Sequence, residues 1–482
     1  MIDARPAAHL VGLLCTALGV LMLAPAALDW QAGNDNWQAF VRAAFVTMLA
    51  GGSVALATRA AFAAGLQRRQ SFLLTGAVWL VLPAFGALPF MLGAPSAGMT
   101  DAYFEAMSGM TTTGATMFVG LDQLPPGVLL WRSMLQWLGG LGIIVVALIF
   151  LPVLRVGGMQ HFQSEAFDTL GKVLPRAYDI ASALFQIYVL LTLAAIIAYM
   201  AFGMSGFDAL NHGLTTIATG GFSTRDASFG DFIGPLEYVA TLFMILAGLP
   251  FVRYIQIMGG SLRAIFDDVQ VRAFFRWNLF AVVGIVAYRM ATTDLELPEL
   301  IRETLFNVVT LFTGTGFASQ DVSSWGDFPL VVVILVGFIG ACTSSTGCSL
   351  KVFRFLVLFE AIRAQMRKLR SPQEVQVLRL GGQKLAPDVV SSVIVMFTVF
   401  GASFVVLAVA LALTGLESRT AITAAWTAIC NVGPVYGPGV GPTGALDGFN
   451  TQAKWLMIVG MYLGRLEILV VLVLFLPRFW QG

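Results

Sequence analysis

The chain predicts an all-α polytopic membrane protein: four parallel repeats of helix, re-entrant pore loop and helix around a central, potassium-channel-like pore, preceded by a two-helix hairpin. Three observations carry this expectation. Of 482 residues 57% are hydrophobic and only 11% charged, with a mean hydropathy of +0.82, an apolar content no water-soluble core needs. Four short turns share one theme: Thr111-Thr112-Thr113-Gly114, Ile217-Ala218-Thr219-Gly220, Thr313-Gly314-Thr315-Gly316 and Cys430-Asn431-Val432-Gly433. Their closing glycines are 106, 96 and 117 residues apart, which marks repetition at domain scale. Finally, the net charge of +1 hides a segregation. Basic residues gather at Arg68, Arg69, Arg155, Lys172, Arg176, Arg253, Arg263, Arg272, Arg276 and from Lys351 to Lys384, whereas Asp101, Glu105, Asp122, Asp208, Asp226, Asp231, Glu237, Asp294, Glu296, Glu299 and Glu303 fill the alternate loops. Cytoplasmic loops carry the excess of Lys and Arg, so the acidic loops and the four turns are expected to face outward.

The elements follow in order. Residues 1–69 hold two apolar segments, 10–28 and 40–64, each long enough to cross about 30 Å of hydrocarbon as a helix. Repeat 1 (70–178) pairs spans 72–94 and 126–152 with a shorter stretch, 100–112, ending in the first turn. Repeat 2 (179–270) does so with 181–203, 205–219 and 235–258, repeat 3 (271–370) with 273–292, 298–315 and 327–368, and repeat 4 (388–482) with 388–414, 418–431 and 453–476. The polar segment 371–387, with Ser371-Pro372 nearby and Gly381-Gly382, reads as a cytoplasmic connector. Each repeat starts and ends on the basic side, so its short stretch must enter and leave from the outer face. Backbone that is not helical at membrane depth is tolerated only where protein or water covers it, and four repeats about one axis provide that. Having all twelve apolar stretches cross would invert alternate repeats and break the charge pattern.

The second span of repeat 3 is too long for one crossing. From Phe328 to Ile362 it is mostly apolar, yet Gly340-Ala341-Cys342-Thr343-Ser344-Ser345-Thr346-Gly347-Cys348-Ser349 interrupts it. Such a run is a poor continuous helix, and a break near mid-membrane is expected. The other reading is a close-packing helix of small residues.

The turns suit cation chemistry. A potassium-sized ion sheds its water only when oxygen dipoles replace it, and carbonyls do so without a fixed charge that would trap the ion. Glycine permits the left-handed backbone that aims successive carbonyls inward, and a threonine hydroxyl can add a ligand. Each short helix points its C-terminal end, the negative end of its dipole, at the pore. The residues expected to meet the ion are Thr112, Thr113, Gly114, Thr219, Gly220, Thr315, Gly316, Asn431, Val432 and Gly433.

On these motifs the chain resembles the TrkH branch of the TrkH/KtrB/HKT superfamily of potassium transporters. Phe104-Glu105-Ala106-Met107-Ser108-Gly109-Met110-Thr111-Thr112-Thr113-Gly114-Ala115-Thr116 resembles the first pore helix and filter of that family. Thr216-Ile217-Ala218-Thr219-Gly220-Gly221-Phe222-Ser223 resembles the second, Thr313-Gly314-Thr315-Gly316-Phe317-Ala318 the third and Asn431-Val432-Gly433-Pro434 the fourth. The N-terminal hairpin and Gln136-Trp137-Leu138-Gly139-Gly140-Leu141-Gly142 place the likeness on the TrkH side. It implies filter glycines at Gly114, Gly220, Gly316 and Gly433. It also implies an intramembrane gate at Gly340, Thr343, Ser344, Ser345, Thr346 and Gly347, and a second gating residue at Arg465. The ring departs from a potassium channel at Asn431-Val432 and Gly314, which implies fewer good ion sites. By the same resemblance K+ is the transported ion, the chain is a homodimer in the bacterial inner membrane among lipid, and TrkA-type cytosolic nucleotide-binding subunits act on the gate. A proton- or sodium-coupled symporter is the alternative.

Arg465 lies within the last apolar stretch, where a charge costs several kcal/mol unless it meets water or a partner. Glu467, two residues on, occupies a different helical face. Arg465 either repels cations from the pore or bridges carbonyls of neighbouring helices. No Walker-type Gly-Lys-Ser run and no dinucleotide Gly-x-Gly-x-x-Gly following a strand is read in the sequence, no Ser/His or paired Asp set suggests an enzyme, and no nucleic-acid partner is expected. Cys15, Cys342, Cys348 and Cys430 read as packing residues, as does His212. Trp131, Trp137, Trp455 and Trp480 read as interfacial anchors. The segment 155–178, with His161, Glu165, Asp168, Lys172 and Arg176, and the connector are either docking surfaces or plain solvated loops.

Overall fold

Helices dominate the protein, whose structure, a computed structural model, describes residues 3–64, 66–145, 177–261, 263–373 and 377–481. His161 and the charged segment around it lie outside the described residues. Among the described residues, seven helices are long and apolar enough to cross a membrane, and up to nine if each of two sharply bent pairs counts as one span.

The N-terminal hairpin runs through Arg5–Leu21 and Leu23–Gln31 and returns along Trp37–Thr58. Small residues bring its two arms to backbone contact. A Cβ at Gly12 would lie 2.7 Å from Gly51 O, and one at Gly51 would lie 2.7 Å from Gly12 O. Where lipid removes the hydrophobic drive between helices, such close approach is what holds them. The hairpin is fastened to repeat 1 by buried Asp29, which accepts from Gly127 N (2.6 Å) and from Asn36 Nδ2 (2.9 Å).

Each repeat has the expected two long elements and one short helix. Repeat 1 comprises Arg68–Gly86, Met99–Met110 and Pro126–Val145. Repeat 2 comprises Ala177–Ala201, Gly206–Ile217 and the pair Pro235–Gly248 and Phe251–Met258. Repeat 3 is Val269–Thr292, Leu297–Thr313 and the pair Asp327–Ile339 and Val352–Arg370. Repeat 4 is Pro387–Leu413, Ser418–Cys430 and the pair Thr451–Arg465 and Ile468–Leu474.

Three second spans are therefore broken, where the sequence suggested one. The repeat 2 pair bends by 89° at Leu249-Pro250 and the repeat 4 pair by 106° at Leu466-Glu467. Proline cannot donate to the helix ladder, and Glu467 adopts φ 54°, left-handed for a residue with a Cβ. The freed groups of repeat 2 are met by the repeat 3 break: Phe251 N donates to Ser344 O (2.8 Å) and Cys342 N to Gly248 O (3.1 Å). One break satisfies the other, as backbone at membrane depth requires.

Two further expectations change. Trp131 is fully buried and donates to Gly86 O (2.9 Å); Trp137 is half-buried and donates to Thr192 Oγ1 (3.1 Å). Both lock helices together. The connector carries a small two-strand hairpin, Arg379–Leu380 against Gln383–Lys384, turned by Gly381-Gly382 with both φ positive.

Gly12→Leu should splay the hairpin and destabilise the detergent-solubilised protein by roughly 1–3 kcal/mol, read as a lower thermal-unfolding midpoint. An unchanged midpoint would mean that the arms do not meet as described.

Candidate functional site

The four turns share one backbone plan. Each short helix ends in a left-handed residue, Thr112 (φ 53°), Thr219 (φ 51°), Gly314 (φ 79°) and Asn431 (φ 52°), and two residues later comes a left-handed glycine. These glycines are Gly114 (φ 86°), Gly221 (φ 76°), Gly316 (φ 81°) and Gly433 (φ 107°). In repeat 2 the equivalent glycine is thus Gly221, and Gly220 falls one position early, at the place of Thr113, Thr315 and Val432. A Thr-Gly pattern selects the first of two adjacent glycines, whereas the fold selects the one with positive φ.

The room a side chain would need at each of these glycines is taken by a carbonyl of the next repeat. A Cβ at Gly114 would collide with Gly220 O, at Gly221 with Thr315 O and at Gly316 with Val432 O; at Gly433 it would lie 3.0 Å from Thr113 O. The contacts run from repeat 1 to 2, 2 to 3, 3 to 4 and back to 1, so the turns close a ring. Gln136, from the second span of repeat 1, braces the second turn: its Nε2 donates to Gly220 O (2.6 Å) and its Oε1 accepts from Phe222 N (3.0 Å). Asn431 Nδ2 reaches across to Thr113 Oγ1 (2.9 Å), which ties repeat 4 to repeat 1.

A buried ion pair braces the ring from behind. Arg132 Nε donates to Glu105 Oε1 (2.7 Å), both groups at most 1% exposed, and Arg132 Nη1 donates to Ser223 O (2.9 Å). Glu105 also accepts from Thr116 Oγ1 (2.9 Å) and Met117 N (2.8 Å). One carboxylate thereby fixes the exit of turn 1, and one guanidinium joins it to turn 2. His212 is packed, as expected, with Nδ1 2.8 Å from Asp208 O and Nε2 3.0 Å from Ser223 Oγ.

Space opens on both sides of the ring. The four left-handed glycines line a cavity of ≈ 100 Å³ together with Arg225 and Asp226, and a larger vestibule of ≈ 530 Å³ with Asp226 and Asp321 on its walls adjoins it. On the other side lies the repeat 3 break, residues 340–351. Its backbone takes positive φ at Gly340, Ser344, Ser349 and Lys351, and it is held by hydrogen bonds. Thr343 N donates to Gln270 Oε1 (3.0 Å) and Thr346 Oγ1 to Ala247 O (3.1 Å), and within the loop Ser345 Oγ donates to Cys342 O (2.6 Å). The loop meets the turns directly: Cys348 Sγ is 3.7 Å from Thr112 Oγ1, and a Cβ at Gly347 would lie 2.6 Å from Thr313 O.

Below the loop is a pocket of ≈ 30 Å³ lined by Thr343, Ser344, Lys351, Arg465 and Glu467 among others, room for about one water. Arg465 ends its helix at the bend. Its Nη1 donates to Cys348 Sγ (2.5 Å), its Nη2 to Gly139 O (2.9 Å), and its guanidinium stands 5.3 Å from the Trp79 ring centroid. Glu467 pairs with Arg354 (2.5 Å) and leaves Arg465 uncompensated by it, as the spacing indicated. Lys351 Nζ donates to Gly347 O. Among the described residues no cluster of His, Cys, Asp or Glu could hold a metal; the oxygens at the ring are carbonyls and hydroxyls.

Sequence reasoning missed Gly221, Gln136 and Cys348. The doubled glycine was visible, but nothing local distinguishes its two members, and the partners of Gln136 and Cys348 lie far away in sequence.

A fourfold pore-loop arrangement in a multi-pass membrane protein is the class that fold and site define. The chain belongs to the TrkH family, whose model, described as a cation transport protein, matches residues 36–481. It is 42% identical to the Trk system potassium uptake protein TrkI of Halomonas elongata over 86% of this chain and 84% of that protein. It is 36% identical to the Trk system potassium uptake protein TrkH of Escherichia coli K12 over 99% of both. The crystal structure of the potassium transporter TrkH from Vibrio parahaemolyticus superposes with a TM-score of 0.91 at 33% identity, covering 99% of this chain and 100% of that one.

Glu105→Ala should strand the Arg132 charge in the interior and cost about 3–5 kcal/mol. A thermal-unfolding midpoint equal to that of the unaltered protein would show that the pair does not brace the ring.

Proposed function

We propose that this chain carries potassium into the bacterial cell across the inner membrane through the ring of four turns, as a gated, channel-like filter. The observation that carries this reading is the interlock of each left-handed glycine with a carbonyl of the next repeat. It holds oxygen dipoles from all four repeats beside one narrow passage, and carbonyl dipoles are what replace the hydration of a potassium-sized ion. The four short helices end at the ring, and their dipoles favour a cation there. In this reading the filter residues are Thr112, Thr113, Gly114, Thr219, Gly220, Gly221, Thr315, Gly316, Asn431, Val432 and Gly433.

The loop holding Gly340, Thr343, Ser344, Ser345, Thr346 and Gly347 sits under the turns and closes the path, and Arg465 and Lys351 add positive charge against a descending cation. Opening requires the loop to leave. The relatives named as Trk system potassium uptake proteins support potassium as the cargo and partnership with other Trk components. We infer a homodimer, with TrkA-type cytosolic nucleotide-binding subunits acting on the gate from the basic face. A proton- or sodium-coupled symporter would use a titratable group in the path; of those lining the pocket below the loop, Glu467 is paired with Arg354 and Lys351 donates to Gly347 O.

Unidirectional rubidium flux into proteoliposomes, with no proton or sodium gradient, tests the reading. Competition by potassium but not by sodium is expected, and Gly221→Ser should weaken that preference. Flux that appears only with an imposed gradient would contradict the filter and favour symport. Arg465→Ala should raise basal flux about tenfold, the effect of removing ~1.4 kcal/mol of barrier; unchanged flux would assign Arg465 a purely structural role.

A further inference from the structure

An apolar groove of ≈ 330 Å³ lies beside the ion path. Leu14 and Leu18 of the hairpin form one wall, Trp79 of the first span of repeat 1 another, and Leu138, Gly139 and Gly142 of the second span its floor. All three helices are of membrane-crossing length and hydropathy. Leu14 in its wall is 43% exposed, as are Leu13 (47%) and Leu80 (43%), the chain neighbours of lining residues Leu14 and Trp79, so the groove opens toward the outer surface of the helices. Two of its polar groups are engaged elsewhere: Thr75 Oγ1 donates to Ser71 O (2.8 Å), and Gly139 O accepts from Arg465 (2.9 Å). A site at membrane depth whose walls are almost wholly apolar suits hydrocarbon better than water or ions. The groove is also coupled to the gate. Trp79, whose ring faces the Arg465 guanidinium, and Gly139, whose carbonyl holds it, are both groove walls.

The geometry points to a binding site for a phospholipid acyl chain whose occupancy biases the position of Arg465. The source is the surrounding bilayer, since the walls are spans and the flanking leucines are exposed. A chain seated there packs on Trp79 and holds the Gly139 segment, which favours the closed placement of Arg465. Gly142 makes the groove: a Cβ there would stand 3.7 Å from Trp79, an ordinary contact, so a larger side chain fits without displacing backbone.

The coupling rests on the gating role proposed above, but the site itself does not. The whole protein is reconstituted with phosphatidylethanolamine carrying a photoreactive diazirine in one tail. Adducts are expected on peptides spanning 10–21 and 74–82, and both Gly142→Phe, which fills the groove, and Leu14→Trp, which blocks its mouth at an exposed position, should abolish them. Rubidium flux in the two variants should rise about fivefold above that of the unaltered chain, and a fall would contradict the closing bias. Adducts missing from these helices, or persisting in both variants, overturn the lipid site. Adducts lost with flux unchanged overturn its coupling to Arg465. Failure of potassium selectivity would leave the adducts untouched, which separates this inference from the filter reading.

Discussion

Everything near the axis depends on one steric constraint: each turn's left-handed glycine must be bare, because the neighbouring repeat's carbonyl occupies the place of a side chain. The constraint links four stretches of chain that are about a hundred residues apart in sequence. It sets the order of the repeats around the ring, and it demands glycine for space as well as for φ. The bracing groups follow from it. A ring of bare backbone has little packing of its own, so Gln136, the Arg132–Glu105 pair and Asn431 supply directional hydrogen bonds from outside. Buried charge is costly unless paired and hydrogen-bonded, and Glu105 and Arg132 meet that condition by serving two turns at once.

The layer beneath is built on mutual repair. A broken span exposes backbone groups at membrane depth, and two breaks placed against each other satisfy them, as those of repeats 2 and 3 do through Phe251, Ser344, Cys342 and Gly248. The loop at 340–351 is consequently held by several single hydrogen bonds rather than by a helix ladder. Such an element can leave without unfolding its flanking helices. Arg465 joins this layer to repeat 1 through Cys348, Gly139 and Trp79.

Much of this was legible in the sequence. Composition and charge segregation gave the membrane class and the repeats, because hydropathy is a property of each segment alone. The break at Gly340–Gly347 was visible because ten small or hydroxyl residues interrupt an apolar run. The bends at Pro250 and Glu467 were not, since a single proline or one left-handed residue leaves the hydropathy of a span intact. Gly220 and Gly221 are indistinguishable locally; only the fold shows that Gly221 takes the left-handed backbone against Thr315 O while Gly220 lies against the Gln136 side chain. Trp131 resembles an interfacial anchor by its place near a span end, but the hairpin packed against repeat 1 buries it. The pairing of Glu467 with Arg354, 113 residues away, is likewise a fact of tertiary structure.

The central claim, that four interlocked turns hold a dehydrated potassium-sized cation on their common axis, is tested most directly by anomalous diffraction from crystals grown in rubidium. The account predicts an anomalous peak on the axis, beside the carbonyl oxygens of Thr113, Gly220, Thr315 and Val432 and absent when sodium replaces rubidium. An empty axis, with rubidium only against the vestibule carboxylates of Asp226 or Asp321, would contradict it.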